Sequence, residues 1–181
     1  GSDFVDGGAG NDNLMGGGGN DTVSGGAGND TIDGGSGQDS LLGDSGDDSV
    51  RGGGGSDALR GGTGNDVLFG DGGNDTIFGE DGADLLFGGA GNDGMNGGSG
   101  NDVVNGNSGS DTLLGSTGRD TLLGGAGQDI LIGGDDDDTV RGQGGADIMA
   151  GNGGSDKIEA TSIDRIDELF TESLFPELLG L

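Results

Sequence analysis

The sequence predicts an all-β repeat solenoid, a rod of short strands with a helical cap at its C-terminal end. Three observations predict it. A nine-residue period runs without insertion or deletion from Gly7 to Glu159, giving seventeen consecutive full units. Within that period one position is Asp eighteen times, and the position two residues on is Val, Leu, Ile or Met eighteen times. Glycine supplies 51 of the 181 residues, and a residue that loses so much backbone freedom on folding is poor material for an ordinary globule.

The first full unit is Gly7-Gly8-Ala9-Gly10-Asn11-Asp12-Asn13-Leu14-Met15 and the last is Gly151-Asn152-Gly153-Gly154-Ser155-Asp156-Lys157-Ile158-Glu159. Gly1–Asp6 match the back half of one further unit, as a fragment of a longer array would. Position one is Gly in all seventeen units, and position four is Gly in sixteen, with Asp136 as the exception. Both are expected to need glycine, for a positive φ or a close backbone approach. Position two is Gly in only ten units, being Asp44, Asp71, Glu80, Asn107, Ser116, Gln143 and Asn152 in the others. The backbone there is expected not to demand glycine. Aspartate at position six and the aliphatic residue at position eight read as a six-residue turn ending in a carboxylate, followed by a three-residue strand whose middle side chain points inward.

Composition narrows the function. Thirty-four acidic against six basic residues leave a formal charge of −28, which excludes nucleic acid as a partner, since that binding rests on Lys and Arg neutralising phosphates, and disfavours anionic membranes. The chain has no Cys and no His, so disulfides, thiolate sites and imidazole sites are all excluded and oxygen is the only ligand type. No nucleophile and base can be nominated, and the reading is of a protein that is not an enzyme. No apolar run approaches the length of a membrane span, and the N-terminus lacks the pattern of a signal peptide. Glycine-rich loops also cradle phosphates, but here each loop ends in a carboxylate that repels an anion.

The repeat resembles the G-G-x-G-x-D-x-U-x nonapeptide of the RTX (repeats-in-toxin) family, and the resemblance covers residues 7–159. It implies a right-handed parallel β-roll in which two units make one turn, with calcium held between stacked loops on both sides. Calcium takes six to eight oxygens from carboxylates and carbonyls, and glycine-rich turns can direct several carbonyls at one centre. The expected metal ligands are the position-six aspartates: Asp12, Asp21, Asp30, Asp39, Asp48, Asp57, Asp66, Asp75, Asp84, Asp93, Asp102, Asp111, Asp120, Asp129, Asp138, Asp147 and Asp156. On this reading Asp12 faces Asp30 and Asp21 faces Asp39 across one rung, and up to about fifteen calcium ions would nearly cancel the charge. The rod would have about nine rungs and a length on the order of 40 Å. The run Asp135–Asp138 reads as a defective loop, with Asp136 in a glycine position, in which the fold survives and the site weakens.

Outward positions seven and nine predict two apolar patches. One holds Val67, Leu85 and Val103 beside Phe69 and Phe87, and the other Leu114, Ile130, Ile132 and Ile148. Such patches mark contact surfaces, with the C-terminal segment or a second chain as occupant. Threonines such as Thr22, Thr76 and Thr139 recur on the outer faces, but other residues interrupt their array, which leaves an ice-binding surface as a remote alternative. The Asn-Asp-Thr triplets at Asn20, Asn29 and Asn74 fall out of the repeat and are not assigned a role as glycosylation acceptors.

The period stops at Ala160. The chain thus divides into a roll over 1–159 and a C-terminal segment over 160–181, where Ser162 as N-cap and Ile163, Ile166, Leu169, Phe170 and Leu174 at helical spacing predict an amphipathic helix ending near Pro176. This segment would cap the open end that every solenoid must cover, and the family resemblance adds an uncleaved type I secretion signal. The expected function is a secreted bacterial calcium-binding module that folds on meeting extracellular calcium, assists export and stabilises a parent protein. The alternative is an extracellular structural or adhesive element, stiffened by calcium and assembling through its apolar patches.

Overall fold

The computed structural model describes residues 1–161 and 165–166. Strands β1 (Phe4–Ala9) and β2 (Asn13–Gly18) begin a series that repeats every nine residues through β16 (Thr139–Gly144), followed by β17 (Ile148–Asn152), β18 (Lys157–Glu159) and the two-residue β19 (Arg165–Ile166). All odd-numbered strands form one ten-stranded sheet and all even-numbered strands a nine-stranded sheet, each in strict sequence order. Every pairing is parallel, with residue i opposite residue i+18 throughout the repeats, as Val5 with Val23 and Leu68 with Leu86. The expected two-unit turn and parallel solenoid are both present. Most of the expected amphipathic helix lies outside the described residues; Ile166, expected on it, stands instead with Arg165 in a strand that extends the odd-numbered sheet by pairing with Ile148–Met149.

The strands are twice as long as the sequence reading allowed. Each of β1–β16 spans six residues, from position seven of one unit to position three of the next, leaving positions four to six as a three-residue turn. The glycine pair at positions one and two is therefore a corner inside the ladder. Extended pairing continues through it because no side chain at position one obstructs the next rung.

Position eight forms the core. From Val23 to Met149 one such side chain per strand is completely or almost completely buried. The two sheets meet across this single row each, and the end residues Val5, Leu14 and Ile158 are partly covered. Period two within a three-residue stretch places position eight inward and positions seven and nine outward, and the aliphatic residues bury fully because each is flanked by its counterparts on adjacent rungs.

Glycine is required for different reasons at different positions. At position one an added Cβ would have no room: on Gly34 it would lie 2.6 Å from Asp39 Oδ2 and 2.8 Å from the carbonyl oxygen of Gly52. Position two corrects the expectation drawn from its variability. It has positive φ in every unit, including all seven without glycine, with φ from 67° at Asn107 to 83° at Ser116. Side chains survive there because they project to the outer surface and meet position nine of the preceding rung. Arg60 donates to Glu80 at 2.7 Å while lying over the Phe78 ring, Arg51 pairs with Asp71, and Ser116 donates to Asn96 at 2.8 Å. Asp136, at position four, adopts φ 73°, and the ladder continues on both sides of it.

This contrast carries a prediction. Gly34→Ala should lower stability by about 2–3 kcal/mol, since the backbone carbonyl cannot yield. The adjacent Gly35→Asn must shift φ from 100° toward the 67° and 74° of Asn107 and Asn152, since an unshifted Cβ would stand 2.2 Å from the Gly17 carbonyl oxygen, and with that shift it should cost less than Gly34→Ala. Calcium-loaded thermal unfolding of the two variants checks this; equal losses would refute it.

The predicted outer faces assemble as expected. Leu85 pairs with both Val67 and Val103, and Phe69 and Phe87 stack with ring centroids 5.1 Å apart and planes 9° from parallel. On the other sheet Leu114 lies beside Ile132, and Ile130 beside Ile148.

Candidate metal centre

The turns are where backbone groups must find partners outside the strand ladder. Position four turns the chain with positive φ, as at Gly46 (130°) and Gly73 (137°), and its N–H donates to the position-three carbonyl of the next rung, as Gly46 does to Thr63 at 2.8 Å. The next two N–H groups are satisfied by side chains from opposite directions. At position six the N–H donates to Oδ1 of the Asp one rung on, as Asp48 to Asp66 at 2.7 Å and Asp66 to Asp84 at 2.8 Å. At position five it donates to the side-chain oxygen one rung back, as Asn65 to Asp47 at 2.8 Å and Asn92 to Asn74 at 2.9 Å.

These bonds arrange the aspartates in two columns along the two edges of the roll. One runs from Asp3 through Asp21, Asp39, Asp57, Asp75, Asp93, Asp111 and Asp129 to Asp147. The other runs from Asp12 through Asp30, Asp48, Asp66, Asp84, Asp102 and Asp120 to Asp138 and Asp156. The expected neighbours eighteen residues apart are thus brought together, and aspartates of different columns are not. From Asp21 to Asp147 the side chains are almost completely buried; Asp12 and Asp156 at the ends are partly exposed.

Each carboxylate uses only one oxygen in this ladder. From Asp12 to Asp138 in both columns, Oδ2 is buried and has no hydrogen-bond partner. It lies beside the position-one glycine of its own unit, on the side where the position-one carbonyl of the next rung also points. A Cβ built on Gly52 would stand 2.6 Å from Asp57 Oδ2 and 2.9 Å from the Gly70 carbonyl oxygen. Two acceptor oxygens therefore face one space with no donor between them. An isolated buried acceptor costs about 1–3 kcal/mol and a charged one more, and here the arrangement repeats on every rung.

The electrostatics express the same deficit. Burial, the largest cause, pushes the carboxyls of Asp66, Asp75, Asp84 and Asp138 up to about 6 and those of Asp111 and Asp120 up to about 7. The N–H bond from the neighbouring Asp opposes this, and like charges along the column add to it. Burial likewise raises Asp48, Asp57, Asp93, Asp102 and Asp129. A cation at Oδ2 would reverse both the desolvation and the repulsion.

The donor set fits calcium. Orphaned carboxylate oxygens beside peptide carbonyls, with no nitrogen or sulfur ligand available, match a hard cation. Among the described residues no three acidic side chains converge on one point, so backbone carbonyls would have to complete any coordination shell.

Sequence reasoning missed two features of the turn. Position five carries an oxygen-bearing side chain in most units, and these form their own ladder. The signal was present in the Asn that directly precedes Asp in seven units, beginning with Asn11, Asn20 and Asn29. The second is that Asp3, in the partial unit, heads one column of the turns: its N–H donates to Asp21 Oδ1 at 2.8 Å while its own side chain is exposed.

Fold and turn chemistry together define a class, that of acidic repeat solenoids with oxygen-only turns. A family model described as RTX calcium-binding nonapeptide repeat (4 copies) matches residues 1–32, 33–68, 60–95, 69–104, 105–140 and 123–158. The chain belongs to the RTX calcium-binding nonapeptide repeat family, and as such is a calcium-binding repeat protein. This is a structural calcium-binding family, typically secreted in bacteria. No curated protein matches the chain.

Proposed function

We propose that this chain is a calcium-responsive folding module in which the seventeen aspartates from Asp12 to Asp156 supply carboxylate ligands, with position-one carbonyls among the backbone ligands. The observation that carries this reading is the regular column of buried, unpartnered Oδ2 atoms. Ligand-free, these carboxylates repel one another and lack donors. The roll over 1–159 then folds only when calcium supplies the missing interactions, so that binding energy becomes folding energy.

Family membership supports the finer role. In cytosol poor in calcium the chain stays unordered and suited to export, and outside the cell calcium orders it and stabilises the protein of which it is part. The half-buried Phe69–Phe87 stack beside the exposed Leu85 favours a second reading, an extracellular adhesive or structural element that assembles through this face.

A calcium titration from chelated protein, followed by far-UV circular dichroism and size-exclusion chromatography, tests both. A cooperative coil-to-β transition with compaction to a monomer is expected. The same transition with assembly supports the adhesive element, and absence of any transition refutes calcium-dependent folding.

A further inference from the structure

The outward rows of the even-numbered sheet are self-complementary, and those of the odd-numbered sheet are not. Along the even-numbered sheet the position-seven row reads Ser49, Val67, Leu85, Val103 and Thr121, with Thr31 and Thr139 one rung further on either side. It is a near-palindrome about Leu85, which opens β10 (Leu85–Ala90). The same row on the odd-numbered sheet passes from Thr22 through Thr76 and Gly94 to Ile130 and Ile148, polar at one end and apolar at the other, with no such centre. At the centre of the palindrome Leu85 is 39 % exposed, and Val67, Val103, Phe69 and Phe87 around it are half-buried.

We infer that this face binds a second copy of the chain as a closed pair, with the two-fold axis along β10 and the two rods antiparallel. The inference rests on the reading of the face as an assembly surface, and adds the partner and the register. A two-fold contact sets each residue against its counterpart across the axis. Leu85 and Phe87 then meet their own copies, and Val67 meets Val103 of the partner subunit. The polar groups obey the same centre. Asp33 faces Arg141 of the partner subunit, and Asp71 faces Asn107 of the partner subunit, each pair occurring twice by symmetry. Arg51 meets Leu123 of the partner subunit with its charge already held within its own chain by Asp71. Moving the axis half a rung toward the C-terminal end would instead set Asp33 against Glu159 and Arg51 against Arg141, like against like.

The seven rungs from Thr31 to Thr139 span about 29 Å, and a flat stretch of about four residues per strand gives roughly 400 Å² per partner, about half of a standard interface. The pair is therefore weak and the chain monomeric when dilute. It also needs loaded turns, since two chains at a formal charge of −28 repel each other.

Sedimentation equilibrium of the full-length chain in calcium tests this, from low micromolar to about 0.2 mM, the range in which so small an interface associates. The β signature in circular dichroism is verified first for every variant. A monomer–dimer equilibrium with no larger species is expected. Leu85→Glu, outward and on the axis, should weaken it more than about tenfold by setting like charges against each other. Thr76→Glu, at the same repeat position on the odd-numbered sheet, should leave it unchanged. The chain lacks cysteine, so single thiols fix the register. Val67→Cys and Val103→Cys chains, mixed, should be joined by a short bis-maleimide as the mixed pair; like positions lie a further two rungs, about 10 Å, along the rod and should join far less. A monomer at every concentration would overturn the pair and the assembly reading together. Open-ended assembly abolished by Leu85→Glu would retain the face as an assembly surface and overturn the closed pair. Association indifferent to Leu85→Glu, or Val67→Cys joined to itself in preference to the mixed pair, would overturn it as well.

Discussion

In the absence of calcium, acidification from pH 8 to pH 5 should increase the ordered β-structure of this chain, although most acidic proteins lose structure in that direction. The reason lies in the metal-free turns. Asp66, Asp75, Asp84 and Asp138 have folded-state pKa values raised to about 6, and Asp111 and Asp120 to about 7, from 3.8. A group whose folded pKa is raised binds more protons in the folded than in the unfolded chain between those two values. Its contribution is therefore fully present below about 3.8 and is lost as pH rises through 6 to 7. Protons neutralise the same carboxylates that calcium would, and either removes the repulsion along a column. The two compete for the folded turns, so calcium should bind the folded chain more weakly as pH falls through this window, while less calcium is needed to reach the folding midpoint. Circular dichroism of chelated protein across pH 4–8, with calcium titrations at pH 5.5 and 7.5, measures both effects. Less structure at pH 5 than at pH 8 in chelator would show that the buried carboxylates do not govern the metal-free state.

The second large effect concerns the core. Leu86→Ala, in the middle of the rod, should cost about 3–4 kcal/mol in the calcium-loaded state, within the range for a fully buried leucine whose surroundings relax only partly. Leu86 is completely buried, and the rungs on both sides are held in register by the ladder and cannot close on the cavity. Leu14→Ala should cost less than half as much, since Leu14 is only partly covered. Because a solenoid is stabilised mainly through nearest-neighbour interfaces, the central substitution should also broaden the transition or split it into two. Calorimetry of the two variants in saturating calcium distinguishes them; equal losses would mean that the position-eight row is not the principal core.

Much of this molecule was legible in one dimension because its contacts repeat at a fixed separation. A nine-residue unit with one inward aliphatic residue predicts a solenoid, and the aspartate that recurs eighteen times predicts a column. The outer rows Val67–Leu85–Val103 and Phe69–Phe87 could be read by counting in eighteens. The sequence also determined, through the absence of His and Cys and the excess of acid, that any metal chemistry would use oxygen alone.

What the tertiary structure decided concerns direction and space, which composition at a position does not encode. Tolerance of Asp, Glu, Asn, Ser and Gln at position two reads as freedom from positive φ, yet all seventeen units have it. The position admits side chains because they leave the roll and meet position nine of the rung before. Strict glycine at position one reads equally well as a need for positive φ, but its cause is the carbonyl of the next rung and the carboxylate of its own unit crowding the Cα. The opposed use of Asn and Asp in the turn, Asn74 accepting from the N–H of the rung ahead and Asp84 from that of the rung behind, depends on stacking across eighteen residues. The same stacking leaves one oxygen of each carboxylate buried without a donor, and so turns a periodic letter into a set of cation-seeking sites.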